Sequence, residues 1–441
     1  MMENQGKITI GQNLKKIRKE LGLKQYEITG GEITRNLISI IENDKTPLYE
    51  TNARIISENM NSIMEERGLD IYIEPEDILN PERYEAKKKA DLYIENFKTK
   101  LNEKNFEIES KELQEIELFL NHWNLNDKKA KIYELLGDIY YYSHDFDKEF
   151  IYLTKALECA FMLPNRKNNY KILSKLISNC INTEKYKEAL RLGDFGLSSQ
   201  KNMPEKVKGI FHYNNALAYE NLEKFDSSIE ELNIAKKHIE DINSKLFIKM
   251  LVLEGICYSN KKEYDKALNT YNQAIDIFNL EKKHDEIYLV YANIVDLFVE
   301  KKDVDKVAEY LNTISKHISN IDENSPYLAR VFFSISDGFF FLKNYASAEE
   351  CLKKSLYLAE KNNEKNLYEQ YLLKLFNFYV KENEKEKIYK LKDKLSEEIL
   401  NISVDEKLSL FLNLILYYLE HNDIDLAKQL VQELLKKEVR K

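Results

Sequence analysis

The amino-acid sequence predicts an all-α protein, in which a small N-terminal helical domain is followed by a long array of helical hairpins. Only 12 Gly and 6 Pro occur among 441 residues, which is too few turn residues for an all-β fold. Apolar residues recur with helical spacing through nearly the whole chain. Beyond residue 123, equivalent positions return every 39 to 41 residues, which indicates a repeat architecture.

The first 67 residues have the pattern of a compact domain of four or five short helices. After a first amphipathic helix, a second short helix is expected over residues 25–29, followed by a tight turn at Gly30 and Gly31. Thr34 is a suitable N-cap for a third helix, and Pro47 is expected to open a fourth. A glycine turn between the second and third of these helices predicts a helix-turn-helix domain.

The segment from Gly30 to Lys45 resembles the phage-repressor-like (Xre-type) family, and the resemblance covers roughly residues 8–65. Asp44 stands where the family usually has Gly, at a position that tends to need positive φ. The resemblance implies an ion pair between Arg18 and Glu42 that is structural. It implies base contacts from Arg35, Asn36 and Ile40, and phosphate contacts from Gln25, Thr34, Asn43 and Lys45.

The chemistry of the expected base-contacting residues suits this role. Arg35 can bind guanine bidentately, Asn36 can do the same with adenine, and an outward Ile40 can touch a thymine methyl group. The alternative for Ile40 is that it packs on a neighbouring helix. The segment from Lys7 to Pro47 carries eight basic and five acidic residues, a charge of +3, whereas the whole chain has −9. Only this segment is therefore electrostatically suited to DNA phosphates.

Residues 68–82 are expected to be a connector, because Gly68, Pro75 and Pro81 interrupt the helical pattern. Residues 83–122 are expected to form a linking helical hairpin. Residues 123–441 then form about eight repeats, each a hairpin that buries its apolar face only against its neighbours, so that the array should wind into a superhelix. Their anchor positions are Glu149, Ala189, Ser228, Ala267, Val307, Ala348, Ile388 and Ala427.

The repeat pattern is that of tetratricopeptide repeats: Leu-Gly-x-x-Tyr, as at Leu136, Gly137 and Tyr140, and Ala-x-x-x-Tyr, as at Ala267 and Tyr271. The resemblance implies a right-handed superhelix. Repeats of this kind behind a phage-repressor-like domain resemble the peptide-pheromone sensors of Gram-positive bacteria, the Rgg, NprR, PlcR and PrgX regulators and the related Rap proteins. That resemblance implies a regulator which binds a short imported signalling peptide on the concave repeat surface.

A polar stripe on the first helix of each repeat is the expected peptide site. Positions 18, 14 and 11 residues before each anchor share one helical face. Asn recurs there, and an amide offers both a donor and an acceptor to the backbone of an extended peptide. The alternative is that this stripe is only a solvated helix face. The expected contacts are Lys171, Lys175, Ser178, Asn214, Asn293, Asp296, Arg330, Asp337, Asn377 and Asn413.

No catalytic, cofactor or metal site is expected. The chain has no P-loop, GxGxxG or HExxH motif, and its seven His residues pair with no obvious nucleophile. The four cysteines form no CxxC pair and are expected to be core residues in a reducing compartment. Residues 1–20 are basic but no apolar core follows them, so no signal peptide is expected. The longest apolar run is too short to cross a bilayer, so we expect a cytoplasmic protein with no membrane partner.

These observations favour a transcription regulator that binds double-stranded operator DNA as a homodimer and is controlled by a short linear peptide. The alternative is a repeat scaffold that grips a partner protein, similar in action to the Rap proteins, with the N-terminal domain as a DNA tether. A DNA-tethered enzyme is a third possibility, and the missing catalytic motifs argue against it.

Overall fold

The computed structural model of this chain describes residues 8–69, 71–163, 169–199, 203–242, 244–281, 285–316, 318, 325, 327–362, 364–398 and 404–438. Every regular element in these ranges is helical, which confirms the all-α prediction. None of the helices described there is long and apolar enough to cross a membrane. The chain divides into two compact units, Met1–Gln200 and Lys201–Lys441.

The first unit begins with a bundle of short helices. They are α1 (Ile10–Glu20), α2 (Arg35–Glu42), α3 (Glu50–Glu66) and α4 (Pro75–Leu79). Thr34 caps α2, because its side chain accepts a hydrogen bond from the backbone N–H of Leu37. The predicted third helix is therefore α2, and its predicted cap is confirmed.

Two boundaries in this bundle differ from the sequence expectation. The helix expected over residues 25–29 is a single 3-10 turn, Glu27–Thr29, because Gly30 follows with a φ of 59° and ends it. The helix expected to open at Pro47 begins instead at Glu50. Leu48 is buried, so the extended chain before α3 is itself packed into the core.

Residues of the expected connector take part in this N-terminal core. Ile73 and Ile78 are buried in the same cluster as Leu14 and Ile56, and so is Tyr84 at the start of the next helix. The buried Asp77 forms ion pairs with Arg83 and Lys87, which ties α4 to the helix that follows. Pro75 and Pro81 each occupy the first turn of a helix, where a missing N–H costs nothing.

The rest of the first unit consists of three helical pairs around a second apolar core. The helices are α5 (Pro81–Asn102), α6 (Ser110–His122), α7 (Asn126–Tyr142), α8 (Phe146–Phe161), α9 (Asn169–Asn182) and α10 (Tyr186–Ser199).

The second unit is built entirely of helical hairpins in its described ranges. The helices are α11 (Glu205–Asn221), α12 (Phe225–Lys237), α13 (Lys245–Asn260), α14 (Tyr264–Glu281), α15 (Asp285–Glu300), α16 (Val304–Ser315), α17 (Leu328–Phe341), α18 (Tyr345–Lys361), α19 (Lys365–Lys381), α20 (Lys385–Glu398), α21 (Val404–Glu420) and α22 (Ile424–Glu438).

Small residues let the two helices of a hairpin approach closely. A Cβ at Gly255 of α13 would overlap the ring of Tyr271 on α14, and Tyr271 is itself 1% exposed. The first helices of successive hairpins also contact one another: α13 contacts α15, and α15 contacts α17. Within this unit, the first helices therefore share one surface, as in a solenoid of hairpins.

Each repeat hairpin turns through the same backbone geometry. A non-glycine residue with positive φ lies five residues before every anchor: His144, Glu184, Glu223, Lys262, Lys302, Lys343, Asn383 and Asn422. At each turn, hydrogen bonds such as Lys302 N to Val299 O and Asp303 N to Phe298 O close a Schellman motif. The repeat period found in the sequence is thus also a period of the backbone. Lys104, with a φ of 56°, extends it to the turn after α5.

Candidate nucleic-acid interface and repeat face

The outer face of α2 presents the three residues expected to contact bases. Arg35 and Asn36 are exposed in its first turn, and Ile40 is 41% exposed one turn later. Among the described residues, neither Arg35 nor Asn36 has a side-chain hydrogen bond or an ion pair, so both side chains are open to a ligand. The inner face of the same helix buries Ile38 and Ile41. Ile40 thus lies on the outer face, opposite the two buried isoleucines.

A buried ion pair fixes the position of α2. Arg18 of α1 binds Glu42 through two hydrogen bonds, of 2.5 and 2.8 Å, and also donates to the carbonyl of Leu23. This is the pair that the family resemblance implies. Gln25, an expected phosphate contact, is half-buried and donates to Glu42 at 2.9 Å. Gln25 is therefore held by the ion pair and has one amide hydrogen left for a phosphate.

The other expected phosphate contacts lie at the two ends of α2. The hydroxyl oxygen of Thr34 accepts the capping hydrogen bond at the N-terminal end. At the C-terminal end, the amide of Asn43 donates to Ser39 O, and Lys45 is exposed. Asp44 between them has a φ of 56°, as expected, and accepts a hydrogen bond of 2.6 Å from the Thr9 hydroxyl.

In the first unit, the expected peptide contacts have different environments. Lys171 is exposed on α9, whereas Lys175 is half-buried and forms ion pairs of 2.7 Å with both Glu134 and Asp138 of α7. Although burial disfavours its charge, these two carboxylates raise the pKa of Lys175. Lys175 and Ser178 line a cavity of about 810 Å³.

In the second unit, polar bridges connect the first helices of three successive repeats. The Ser334 hydroxyl on α17 donates to Asp296 on α15 at 2.9 Å. Asp337, one turn after Ser334, forms an ion pair with Lys374 on α19. Burial raises the pKa of Asp296 to about 6 and lowers that of Lys374 to about 8. These charges are therefore poorly solvated and sensitive to any ligand that adds charge or displaces water.

Arg330 is the cation of this region that lacks a close partner. It is exposed on α17, and no described carboxylate lies within ion-pair distance of it. Its charge nevertheless lowers the pKa of Asp296 against the effect of burial, and acts in the same direction on Glu220 of α11. A carboxylate of a ligand would meet a guanidinium that is free to bind it.

The four expected asparagines differ in their surroundings. Asn214 and Asn413 are half-buried on α11 and α21, and Asn377 is exposed on α19. Asn293 on α15 is 8% exposed, and its amide nitrogen is buried with no hydrogen-bond partner among the described residues. A buried donor without an acceptor is unfavourable, so Asn293 is the least satisfied of the four in this structure.

Several residues that share these sites were not among the contacts expected from the sequence. Lys374 lies on the same stripe, and Glu134 and Asp138 hold Lys175. Glu149 and Asn179 interact with each other in the first unit. The signal for Glu149 was present in the sequence, since it is the one charged residue among the eight repeat anchors. In the described ranges, no group of three or more His, Cys, Asp or Glu residues could hold a metal ion.

Two segments of the second unit match the model of the tetratricopeptide repeat, at residues 248–279 and 329–362. They fall on the hairpins α13–α14 and α17–α18, so the chain contains tetratricopeptide repeats. A comparison with curated proteins found no matching relative.

Several solved structures have a similar fold. Aspartyl phosphate phosphatase F from Bacillus subtilis matches 91% of this chain and 96% of its own, with 14% identity and a TM-score of 0.49. Apo RapI matches 63% of this chain and 99% of its own, with 13% identity and a TM-score of 0.47. PlcR from Bacillus thuringiensis, solved with the peptide PapR7 and DNA, matches 63% of this chain and 97% of its own, with 17% identity and a TM-score of 0.38. Similarities this low assign no role to any residue of this chain.

Proposed function

We propose that this protein is a cytoplasmic transcription regulator that binds operator DNA through its N-terminal domain and a short linear peptide along the first helices of its repeats. The observation that supports DNA binding best is the outer face of α2, where Arg35 and Asn36 lack partners and Ile40 is exposed. An exposed apolar side chain between polar ones fits a surface that meets thymine methyl groups better than one that meets water. The protein acts in this proposal by binding, not by catalysis.

The peptide site that we propose is the row of polar residues across α15, α17 and α19. It combines the partnerless amide of Asn293, the free guanidinium of Arg330 and the poorly solvated pair of Asp337 and Lys374. An extended peptide has unpaired backbone groups and a terminal carboxylate, which amide and guanidinium groups can satisfy. A solenoid face supplies such groups at a regular spacing.

DNA binding is tested by selecting bound sequences from a random duplex library with the full-length protein, with and without synthetic peptides. The peptides should match short open reading frames that flank the gene. An enriched, roughly two-fold symmetric motif supports the proposal, and no enriched motif under either condition contradicts it. Because coupling between two ligands is reciprocal, a peptide that changes operator affinity by some factor must have its own affinity changed by the same factor.

Peptide binding is tested by calorimetry on Asn293→Leu, with Asn272→Ala on the second helix α14 as the control. Asn272 is exposed, so its loss should change nothing. We expect Asn293→Leu to bind peptide at least several-fold more weakly and yet to unfold at a higher temperature, because it removes a buried donor without a partner. If Asn293 had a purely structural role, its replacement would lower the unfolding temperature instead. If no peptide binds and a partner protein is found, the scaffold alternative replaces this proposal.

A further inference from the structure

The first unit contains a cavity of about 810 Å³. Its wall combines aromatic rings with carboxylates. Phe106, from the loop after α5, stacks on Tyr142 at the end of α7, with ring centroids 5.1 Å apart. Tyr141 meets Tyr142 edge-on. Asp138, Glu149 and Lys175 supply the charged part of the wall, and the exposed Lys104 is also part of it. The volume lies within the usual range for small-ligand sites.

Glu149 is an exception among the repeats of this chain. It occupies the anchor position, where the two helices of each hairpin cross, and it is 3% exposed. The other seven anchors are equally buried, and all are small or apolar: Ala189, Ser228, Ala267, Val307, Ala348, Ile388 and Ala427. A carboxylate at this position is unfavourable for packing, and departures of this kind in an otherwise regular array concentrate at functional sites.

No cation within the described residues forms an ion pair with Glu149, although the charge of Lys175 lowers its pKa. One of its oxygens accepts a hydrogen bond of 2.8 Å from the Asn179 amide, and no residue in the described ranges donates to the other. Asn179 is fully buried and also donates to Phe146 O, while its own carbonyl oxygen has no partner. Lys175 is already held between Glu134 and Asp138. The cavity wall therefore presents a Glu149 carboxylate without an ion pair, since Lys175 is engaged by other carboxylates and Lys104 is exposed.

We propose that this cavity binds the primary ammonium group of a ligand, with the Glu149 carboxylate as its counter-ion and the aromatic wall around its apolar part. An ammonium group needs several acceptors, and the carboxylates of Glu149 and Asp138 both line the cavity. Rings of Phe106, Tyr141 and Tyr142 favour an organic cation over a hydrated metal ion, because their faces attract a cation and their surface is apolar.

Two sources supply this chemistry. A free amine would make the cavity a second ligand site, independent of the function proposed above. The amino terminus or a lysine side chain of a peptide would make it part of the peptide site, and only that case depends on the proposed function. Lys175 and Ser178, which were expected to contact peptide, lie in the cavity wall, so both sources are compatible with their positions.

Binding should depend on pH through Glu149. Burial raises the pKa of Glu149 to about 7, although the Asn179 amide lowers it, and the Asp138 charge raises it further. The other titratable groups that interact with it are Lys175 and Cys180 on α9 and Tyr141 on α7. An ammonium ligand needs the ionised carboxylate. For a ligand whose ammonium group stays protonated to pH 8, such as a lysine side chain, the affinity should therefore rise roughly tenfold from pH 6 to pH 8, as the ionised fraction of a carboxyl group with this pKa does. A peptide amino terminus loses its own proton near pH 8, so its affinity should rise less.

Calorimetry on the full-length protein at pH 8 tests the proposal with four probes. Phenethylamine represents a free amine, phenylalanyl-alanine amide a peptide amino terminus, and N-acetyl-lysine methylamide a lysine side chain. Phenethyl alcohol has the same ring without the charge. The variants are Glu149→Gln, which keeps the shape of the side chain, and Glu158→Gln, an exposed carboxylate on the same helix, as the control.

We expect at least one ammonium probe to bind the wild-type protein, and to bind it more tightly than phenethyl alcohol does. The affinity of that probe should fall at least tenfold in Glu149→Gln and should be unchanged in Glu158→Gln. The probe that binds identifies the source. The proposal is overturned if no ammonium probe binds, or if Glu149→Gln binds as well as wild type.

Should Glu149→Gln fail to fold, Tyr142→Ala keeps the test decisive, because this ring is 54% exposed and its loss should weaken binding several-fold. Operator affinity without ligand should be the same in all variants, so failure here is distinct from failure of the DNA-binding proposal.

Discussion

At the scale of single residues, Gly11 sets the distance between α1 and the end of α2. A Cβ at this position would overlap the carbonyl oxygen of Ile41 and lie 2.6 Å from a carboxylate oxygen of Asp44. The backbone oxygen cannot rotate away, as the tip of a flexible side chain could. The carboxylate is also engaged, because Asp44 accepts a hydrogen bond from Thr9. Any side chain at this position must therefore push the two helices apart.

We predict that Gly11→Ala destabilises the protein by about 1–3 kcal/mol, the usual cost of overpacking a close contact. It should also weaken operator binding, because α2 is displaced. Thermal unfolding and gel-shift titration measure the two effects. Ser62→Ala, at an exposed and uncharged position of α3, is the control. If Gly11→Ala has the same stability and operator affinity as this control, the close contact relaxes without cost.

A second prediction at this scale concerns the pH dependence of stability through Glu149. Burial raises its folded-state pKa to about 7, above the value of an unfolded chain, so the folded state binds the extra proton. The stabilising contribution is complete below the unfolded pKa and is lost as the pH rises through 7. Between pH 5 and pH 9 the loss should approach about 3 kcal/mol.

Glu149→Gln should remove this dependence, whereas Glu158→Gln should retain it. The measurement is the denaturant midpoint of each variant at pH 5, 7 and 9. If the wild type and Glu149→Gln lose stability in parallel as the pH rises, the buried carboxylate is not the group that titrates.

At the scale of elements, each repeat hairpin depends on one residue in the left-handed region. Lys302, with a φ of 57°, is typical, and its neighbours close the Schellman bonds that satisfy the last carbonyls of α15. An L-residue in this conformation has a steric cost of about 1 kcal/mol, which glycine avoids. The chain nevertheless uses Lys, Glu, His and Asn at these turns, so the repeats are not optimised for stability.

We predict that Lys302→Gly is more stable than Lys302→Ala by about 1 kcal/mol, the reverse of the order inside a helix. The exposed helical position Ala308 on α16 provides the comparison, since Ala308→Gly should destabilise by a similar amount. Chemical denaturation of the three variants measures this. If the Ala variant is the more stable one at residue 302 as well as at residue 308, the turn does not require a left-handed residue.

The element that carries the proposed DNA contacts is α2. Arg35→Ala should reduce affinity for the selected operator by about 1–3 kcal/mol and relax the preference at one base pair. Lys45→Ala should weaken binding to all DNA sequences equally, and should make the slope of log affinity against log salt concentration shallower by about 1. Arg191→Ala, which removes an exposed arginine from α10, is the control for the loss of positive charge. If Arg35→Ala shifts affinity uniformly and leaves sequence preference intact, Arg35 contacts phosphate instead.

At the scale of the whole molecule, the charge distribution limits how DNA can be bound. The +3 segment from residue 7 to residue 47 belongs to a chain of net charge −9, so the rest of the protein is strongly acidic. Phosphates should therefore meet only the N-terminal domain, and one small domain offers few contacts. Two domains on a two-fold operator would double them.

We accordingly predict a homodimer on operator DNA, with a mass in multi-angle light scattering of two chains per duplex. Its half-sites should be spaced by about one helical turn or a multiple of it. A duplex that holds a single half-site should bind much more weakly. One chain per duplex, with full affinity for a single half-site, would contradict the dimer.

Much of the fold could be predicted from the sequence, because it depends on local patterns. Helical periodicity, scarce Gly and Pro, and a recurring anchor predict an all-α chain of hairpins, and the hairpins fall where the anchors place them. Short elements were less predictable. The turn at Glu27–Thr29 and the start of α3 at Glu50 depend on the positive φ of Gly30 and on the burial of Leu48, which no local propensity encodes.

The sequence by itself determined which residues occupy equivalent positions in the array, including the outlier Glu149 among seven small or apolar anchors. Only the tertiary structure decided which polar residues are already satisfied and which are not. Lys175 is engaged by two carboxylates from another helix, whereas the amide of Asn293 is buried without a partner. Hydrogen bonds and ion pairs between helices depend on distances of a few ångströms across the packing interface. A pattern along one helix carries no information about the side chains that face it.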